Sequence, residues 1–171
     1  MKLKCILLGD CKTGKTHLLS HFRKTIDERY MYIPTIGVDF FRYEGAHIWD
    51  TSGDPRFSSI MRSFIWSSNL SLLFFNDEES LHNLKNHYDM VLNMKKPCHK
   101  TMVVSCARDM AVEVEGLYFS HMYKLDFHSL DIYNKEKCKE FLEHILERYG
   151  LEDNDKKDAV EKPRHCWWNL W

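Results

Sequence analysis

The chain has 171 residues, of which 44% are hydrophobic and 29% charged, with a formal net charge of -1. That is enough chain for one ordinary domain with a full core and too little for two, and it excludes chain-wide disorder. The near-neutral balance argues against bulk nucleic acid as a partner, and the longest apolar stretch, Leu70 to Phe75, falls far short of the ~20 residues of a membrane span.

In chain order, Lys2 to Leu8 is a short apolar run that ends in glycine and reads as a buried strand. Gly9 to Gly14 is a loop, and Lys15 to Ile26 carries Leu18, Leu19 and Phe22 at helical spacing. Ile36 to Tyr43 and Ala46 to Trp49 read as two strands joined by a tight turn at Glu44-Gly45. Pro55 to Ser67 is a loop and helix, and Leu70 to Phe75 a continuous apolar strand. Ser80 to Met94 repeats Leu81, Leu84, Tyr88, Val91 and Leu92 as a helical stripe, and Pro97 breaks it. Thr101 to Cys106 is a buried strand, and Leu117 to Leu125 is read as a further, weaker one. Asn134 to Tyr149 places Phe141, Leu142, Ile145 and Tyr149 on one helical face. Strands alternating with helices indicate a three-layer α/β domain, a mostly parallel sheet flanked by helices, over residues 1–150. Residues 151–171 form a charged tether and a tail rich in tryptophan: Trp167, Trp168 and Trp171.

The strongest motif is Gly9-Asp10-Cys11-Lys12-Thr13-Gly14-Lys15-Thr16, a G-x-x-x-x-G-K-T placed after a buried strand and opening a helix. This is the P-loop pattern. Its glycines let backbone N–H groups turn toward phosphate oxygens, and the helix N-terminus adds partial positive charge. Lys15 is expected to neutralise the outer phosphates and Thr16 to ligate Mg²⁺, with Cys11, Lys12, Thr13 and His17 around the nucleotide. A chain of this length matches the pattern by accident well under about once in a hundred. The second motif is Trp49-Asp50-Thr51-Ser52-Gly53 at a strand end, where Asp50 can hold the magnesium and Gly53 can offer its N–H to the last phosphate. By itself D-x-x-G is weak, since an Asp in a turn often caps a helix; behind a P-loop it becomes specific.

Between these motifs lies Tyr32-Ile33-Pro34-Thr35-Ile36-Gly37-Val38-Asp39-Phe40, which resembles switch I of the Rab GTPases. Trp49 to Gly53 is similar to their W-D-T-A-G, and Arg56-Phe57 to the R-F that follows. The resemblance runs from Met1 to about Asp109 and loosely over the last helix. It implies a P-loop NTPase fold, GTP and GDP as ligands, and Thr35 joining Thr16 and Asp50 at Mg²⁺. It implies effector and regulator proteins as partners, met through Ile36, Gly37, Val38, Asp39 and Phe40, Trp49, and the segment from Asp54 to Trp66. It also implies a role in vesicle traffic.

The departures bear on mechanism. The family's catalytic Gln is replaced by Asp54, a shorter anion without an amide donor, so hydrolysis is expected to be slow. The guanine-reading N-K-x-D stands as Cys106-Ala107-Arg108-Asp109, in which Asp109 alone keeps its type. Arg108 offers a plane for stacking, but its position at the strand exit directs it elsewhere. Glu28 stands where the family has an aromatic beside the base, with Tyr30 the nearest substitute. The S-A-K loop aligns best with Asp126-Phe127-His128, which leaves the Phe127 N–H for the guanine carbonyl. The stretch from Met110 to Tyr123 reads as too short for the usual helix plus strand, so one helix is expected to shrink to a turn. No C-a-a-X prenylation signal is present, so peripheral membrane contact rests on Cys166 or the tryptophans, in an otherwise reducing, cytosolic setting. Cys98-His99 and His165-Cys166 are poor zinc pairs, because adjacent residues rarely ligate one ion together. The expected function is a Rab-type switch with impaired hydrolysis; the alternative is a nucleotide-locked or nucleotide-free mimic that sequesters effectors or regulators. A P-loop kinase or ATPase is disfavoured, since the switch I sequence has no role there.

Overall fold

A computed structural model describes residues 2–23, 34–97 and 99–150. The strands are β1 (Lys4–Leu8), β2 (Val38–Tyr43), β3 (Ala46–Thr51), β4 (Leu70–Phe75), β5 (Lys100–Ser105) and β6 (Asp126–Ser129). The helices are α1 (Lys15–Ser20), α2 (Ser58–Ser67), α3 (Glu78–Met94), α4 (Met110–Met122) and α5 (Lys135–Gly150), and a 3-10 turn at Pro55–Phe57 leads into α2. The six strands form one sheet in the order β2-β3-β1-β4-β5-β6. Only β2 runs antiparallel, pairing with β3 from Val38↔Thr51 to Tyr43↔Ala46. The turn between them takes positive φ at both central residues, 46° at Glu44 and 87° at Gly45, the geometry that a two-residue hairpin favours.

Alternation along β1 divides the core. Cys5 and Leu7 face a cluster built with Leu18 and Leu19 of α1 and with Phe141, Leu142 and Ile145 of α5. Ile6 and Leu8 face the opposite cluster, with Met61 and Ile65 of α2, Leu84 and Val91 of α3, and Val112 of α4. Period-2 side chains thus bury both faces of the sheet, which is why β4 is apolar at every position but Ser71 and is buried throughout.

Two expectations fail between residues 110 and 125. The strand expected over Leu117 to Leu125 lies largely in α4, a full 13-residue helix rather than a turn, and the sixth strand begins at Asp126. The cause is the helix's composition. Its buried residues Val112, Gly116 and Ser120 are small, while Met110, Val114, Leu117, Tyr118 and Met122 are exposed, so the apolar pattern has no helical stripe to find. Of the helix expected over Lys15 to Ile26, the described part is regular to Ser20. Glu28, Tyr30, Cys98 and the tail 151–171 lie outside the described residues. Among those described, no helix is long and apolar enough to cross a membrane.

Candidate functional site

In open α/β sheets, ligands bind beyond the carboxyl ends of the strands. Here a cleft of about 260 Å³ opens there, lined by residues 11–17, Pro34, Thr35, Thr51 to Gly53, Ile132 and Tyr133. β1 delivers the P-loop and α1 begins as that loop ends. Gly14 caps α1 with φ of 100°, a conformation that a side chain would oppose. Lys12, not a glycine, also takes φ of 65°. Successive backbone N–H groups are turned by such residues into an anion-binding concavity.

Lys15 is buried, and its ammonium donates to the carbonyls of Gly9 at 2.7 Å and Asp10 at 2.5 Å, and to Thr13 Oγ1 at 3.2 Å. Burial pulls its pKa down to about 8, opposed by the nearby Asp50. The loop is tied to α3 through Asp10, whose carboxylate accepts from Asn83 Nδ2 at 2.8 Å and meets His87 Nε2 at 2.8 Å. Neither α3 residue was singled out from the sequence, because no local motif marks a contact made by the far side of the P-loop.

Three sequence-predicted metal ligands converge. Thr16 Oγ1 lies 2.9 Å from Thr35 Oγ1 and donates to Asp50 Oδ2 at 2.7 Å, while Thr35 Oγ1 reaches the same oxygen at 3.4 Å. Asp50 has no exposed surface, and its Oδ1 has no hydrogen-bond partner. A buried, unpartnered carboxylate oxygen is costly, and burial raises the Asp50 pKa against the pull of Thr16 and Lys15. A hard divalent cation is the partner that would satisfy it, and two hydroxyls with one carboxylate form the oxygen donor set that Mg²⁺ takes. The residues present therefore fit a magnesium ion.

Gly53 closes the cleft's third side. A Cβ there would sit 2.6 Å from Asp10 O and closer still to Asp10 C and Cys11 N, so only glycine allows its backbone so near the P-loop. Asp54 is turned away. It caps the 3-10 turn, accepting from Arg56 N at 2.9 Å, and its carboxylate binds the Arg56 guanidinium at 2.6 and 2.9 Å. Those Arg56 bonds hold its pKa below the usual carboxylate value.

The base-reading candidates do not assemble. Asp109 caps α4, accepting from Ala111 N at 2.8 Å. Cys106 is buried beside Gly14, and burial pushes its thiol pKa up. Ala107 packs on the core. Phe127 lies mid-strand in β6, paired with Val103 and packed on the core cluster, so it does not reach the cleft. The loop at that end is instead Leu130 to Asn134, from which Ile132 and Tyr133 line the cleft. Counting back from α5 would have found them; a motif alignment pinned to Asp126 did not. Arg108, expected to point elsewhere, lays its guanidinium 4.6 Å from the Tyr133 ring centroid. His17, also in the cleft, lies 5.1 Å from the same ring and 5.1 Å from His21, whose Nε2 meets Ile132 O at 2.7 Å.

Beside the cleft, aromatics from three elements form a continuous surface. Phe40 lies 4.7 Å from Trp49, and Trp49 lies 4.9 Å from Phe64 of α2, with Ile36 83% exposed at one end.

Comparison with known proteins agrees with this architecture. A family model described as Ras of Complex, Roc, domain of DAPkinase matches residues 4–110. The Rho-related GTP-binding protein RhoH of Mus musculus is 34% identical over 118 residues, covering 63% of this chain and 60% of its own length. The Ras-related protein Rab-34 of Mus musculus is 28% identical over 179 aligned positions, covering 91% of this chain and 68% of its own. The GTP-binding protein ypt1 of Schizosaccharomyces pombe is 37% identical over 94 residues, covering 48% of this chain and 45% of its own. The chain thus spans only about half to two thirds of these relatives.

Proposed function

Because the chain belongs to the Ras superfamily of GTPase domains, as a divergent Rab-like member, we propose that it is a GTP-binding switch with impaired hydrolysis that acts by presenting an effector surface. The observation that carries this reading is the convergence of Thr16 and Thr35 on Asp50 Oδ2, beside a buried Oδ1 that has no partner. Mg²⁺ would be held by those three residues and would supply charge neutralisation to the phosphates. The chain's own part is then positional. P-loop N–H groups and Lys15 receive phosphate, Gly53 offers its N–H, and Thr35 draws the segment 36–40 into register beside β3. Ordering that segment sets Phe40 against Trp49, which in turn meets Phe64, and creates the surface a partner reads.

Impaired hydrolysis is supported by where the Asp54 carboxylate is spent. Its oxygens are engaged by Arg56 and by the cap of the 3-10 turn, and an ionised carboxylate carries no donor for the transition state. The same diversion favours the alternative, a triphosphate-locked binding module that sequesters effectors or regulators. Action in vesicle traffic at the periphery of membranes is proposed from the Rab-related relatives.

The test is fluorescent GTP binding with magnesium and with EDTA, followed by single-turnover hydrolysis of wild type and Asp54→Gln. Magnesium-dependent binding with slow turnover that the Gln variant accelerates supports the switch. Binding without turnover in either form supports the locked module, and absence of magnesium-dependent binding overturns both.

A further inference from the structure

The cleft gathers Lys15, Thr16 and Thr35 for phosphate and magnesium, yet among the described residues the guanine-reading positions bring no buried amide, carboxylate or cation into it. Asp109 is exposed and lends one oxygen, Oδ1, to the α4 cap, Cys106 is a buried thiol, Ala107 lies on the core, and Phe127 is in mid-strand. What the cleft presents instead is a flat group. Tyr133 lines the cleft while 61% exposed, with the Arg108 guanidinium 4.6 Å from its centroid and His17 5.1 Å away. The ring is held in place from behind: its neighbour Ile132 is buried against Gly14, and the Ile132 carbonyl accepts from His21 Nε2 at 2.7 Å. Tyr133 is therefore an exposed aromatic plane on the cleft wall, with a cation over its ring.

From this arrangement we infer that Tyr133, backed by Arg108, is the nucleobase platform of the site, and that the protein takes purine nucleoside triphosphates by stacking rather than by reading the guanine edge. This inference rests on the phosphate site argued under Proposed function. Every base has a π-face, so stacking on an aromatic ring or a guanidinium tolerates a change of base. Strong rejection of a wrong base needs buried polar groups left unpaired by it; Asp109 is exposed and Phe127 lies in mid-strand, so neither sequence-predicted base reader supplies one in the cleft. The site therefore accepts adenine as well as guanine, while the phosphates and magnesium carry most of the affinity.

The experiment measures binding of GTP, ATP and inorganic tripolyphosphate to the full chain in millimolar magnesium, for wild type, Tyr133→Ala, Tyr133→Trp and Arg108→Ala. Wild type is expected to bind GTP and ATP within about threefold of each other. Tyr133→Ala weakens both by about tenfold to a hundredfold and leaves tripolyphosphate unchanged. Tyr133→Trp restores both nucleotides to within a few-fold, and Arg108→Ala weakens both in parallel. A preference for GTP of a hundredfold or more overturns the inference, as does Tyr133→Ala binding both nucleotides as wild type does. If tripolyphosphate binds as tightly as the nucleotides, the platform fails while the phosphate site stands. If neither nucleotides nor tripolyphosphate bind, the underlying reading fails with it. Should Tyr133→Ala lose tripolyphosphate as well, the Trp variant decides: restored tripolyphosphate without restored nucleotide binding overturns the platform.

Discussion

Replacing Gly53 by alanine tests how the cleft is closed. The new Cβ would lie 2.6 Å from Asp10 O and nearer to two other backbone atoms of the P-loop, against 3.4 Å or more for an ordinary contact. None of these atoms belongs to a flexible side chain, so either the P-loop or the segment after Ser52 must move. Overpacking of this kind costs about 1–3 kcal/mol, and backbone on both sides places it near the upper end, about 2 kcal/mol or more. That cost divides between two observables. If the segment swings outward in the free protein, folding stability is kept and the cost falls on triphosphate binding, a loss of about thirtyfold at 2 kcal/mol. If the segment cannot move, the cost appears in the urea melt of the nucleotide-free protein instead. The two losses, measured on one preparation by urea titration and by fluorescent GTP binding, are predicted to sum to about 2 kcal/mol. Gly53→Ala with wild-type stability and wild-type affinity would show that Gly53 does not press on the P-loop, and would refute the closed geometry.

Three further outcomes are predicted. Lys15, held near pKa 8 by burial, is charged below that value and neutral above it, so triphosphate affinity should fall as pH rises through about 8, by at most about tenfold per pH unit; a flat profile between pH 7 and 9.5 counts against the role given to Lys15. His99 is buried with Nε2 2.8 Å from Ser71 Oγ and Nδ1 3.2 Å from Ser68 O, and burial lowers its pKa from 6.5. Its neutral form favours the fold, so the contribution is fully present above 6.5 and is lost as pH falls toward and through the folded-state value, at up to about 1.4 kcal/mol per pH unit. Urea melts from pH 7.5 to 5 should show that slope reduced in His99→Gln; equal slopes would assign it elsewhere. Gly116→Ala in α4 gains about 1 kcal/mol of helix propensity but drives its Cβ to 2.7 Å from Phe75 Cε1, in a fully buried ring. The net is a loss of about 1 kcal/mol, read as a fall in Tm, and a rise would mean that the helix sits further from β4 than described.

The ligand-holding half of the site was legible because its chemistry is local. Six residues of loop between a strand and a helix shape the expected phosphate cradle, and Asp50 and Gly53 sit at a strand end where any reading of the pattern puts them. Thr35 came from the resemblance, and its approach to Thr16 and Asp50 spans 19 and 15 residues of chain. The base half was misread for two physical reasons. An apolar exposed face on α4 removed the helical signature, which displaced β6 and with it the loop that follows. Side-chain type alone also did not show that Asp109 lends Oδ1 to the helix that begins at the next residue.

By itself, then, the sequence determined the strand–loop–helix that grips phosphate, the alternation that buries both faces of the sheet, and the replacement of the catalytic Gln by Asp54. Only the tertiary structure decided where the freed groups go. Asp10 turns to His87 and Asn83, and Tyr133 to Arg108 and His17. Local motifs encode backbone conformation over a few residues. The partner of a charge or a ring is set by packing between elements far apart in the chain, which no local pattern carries.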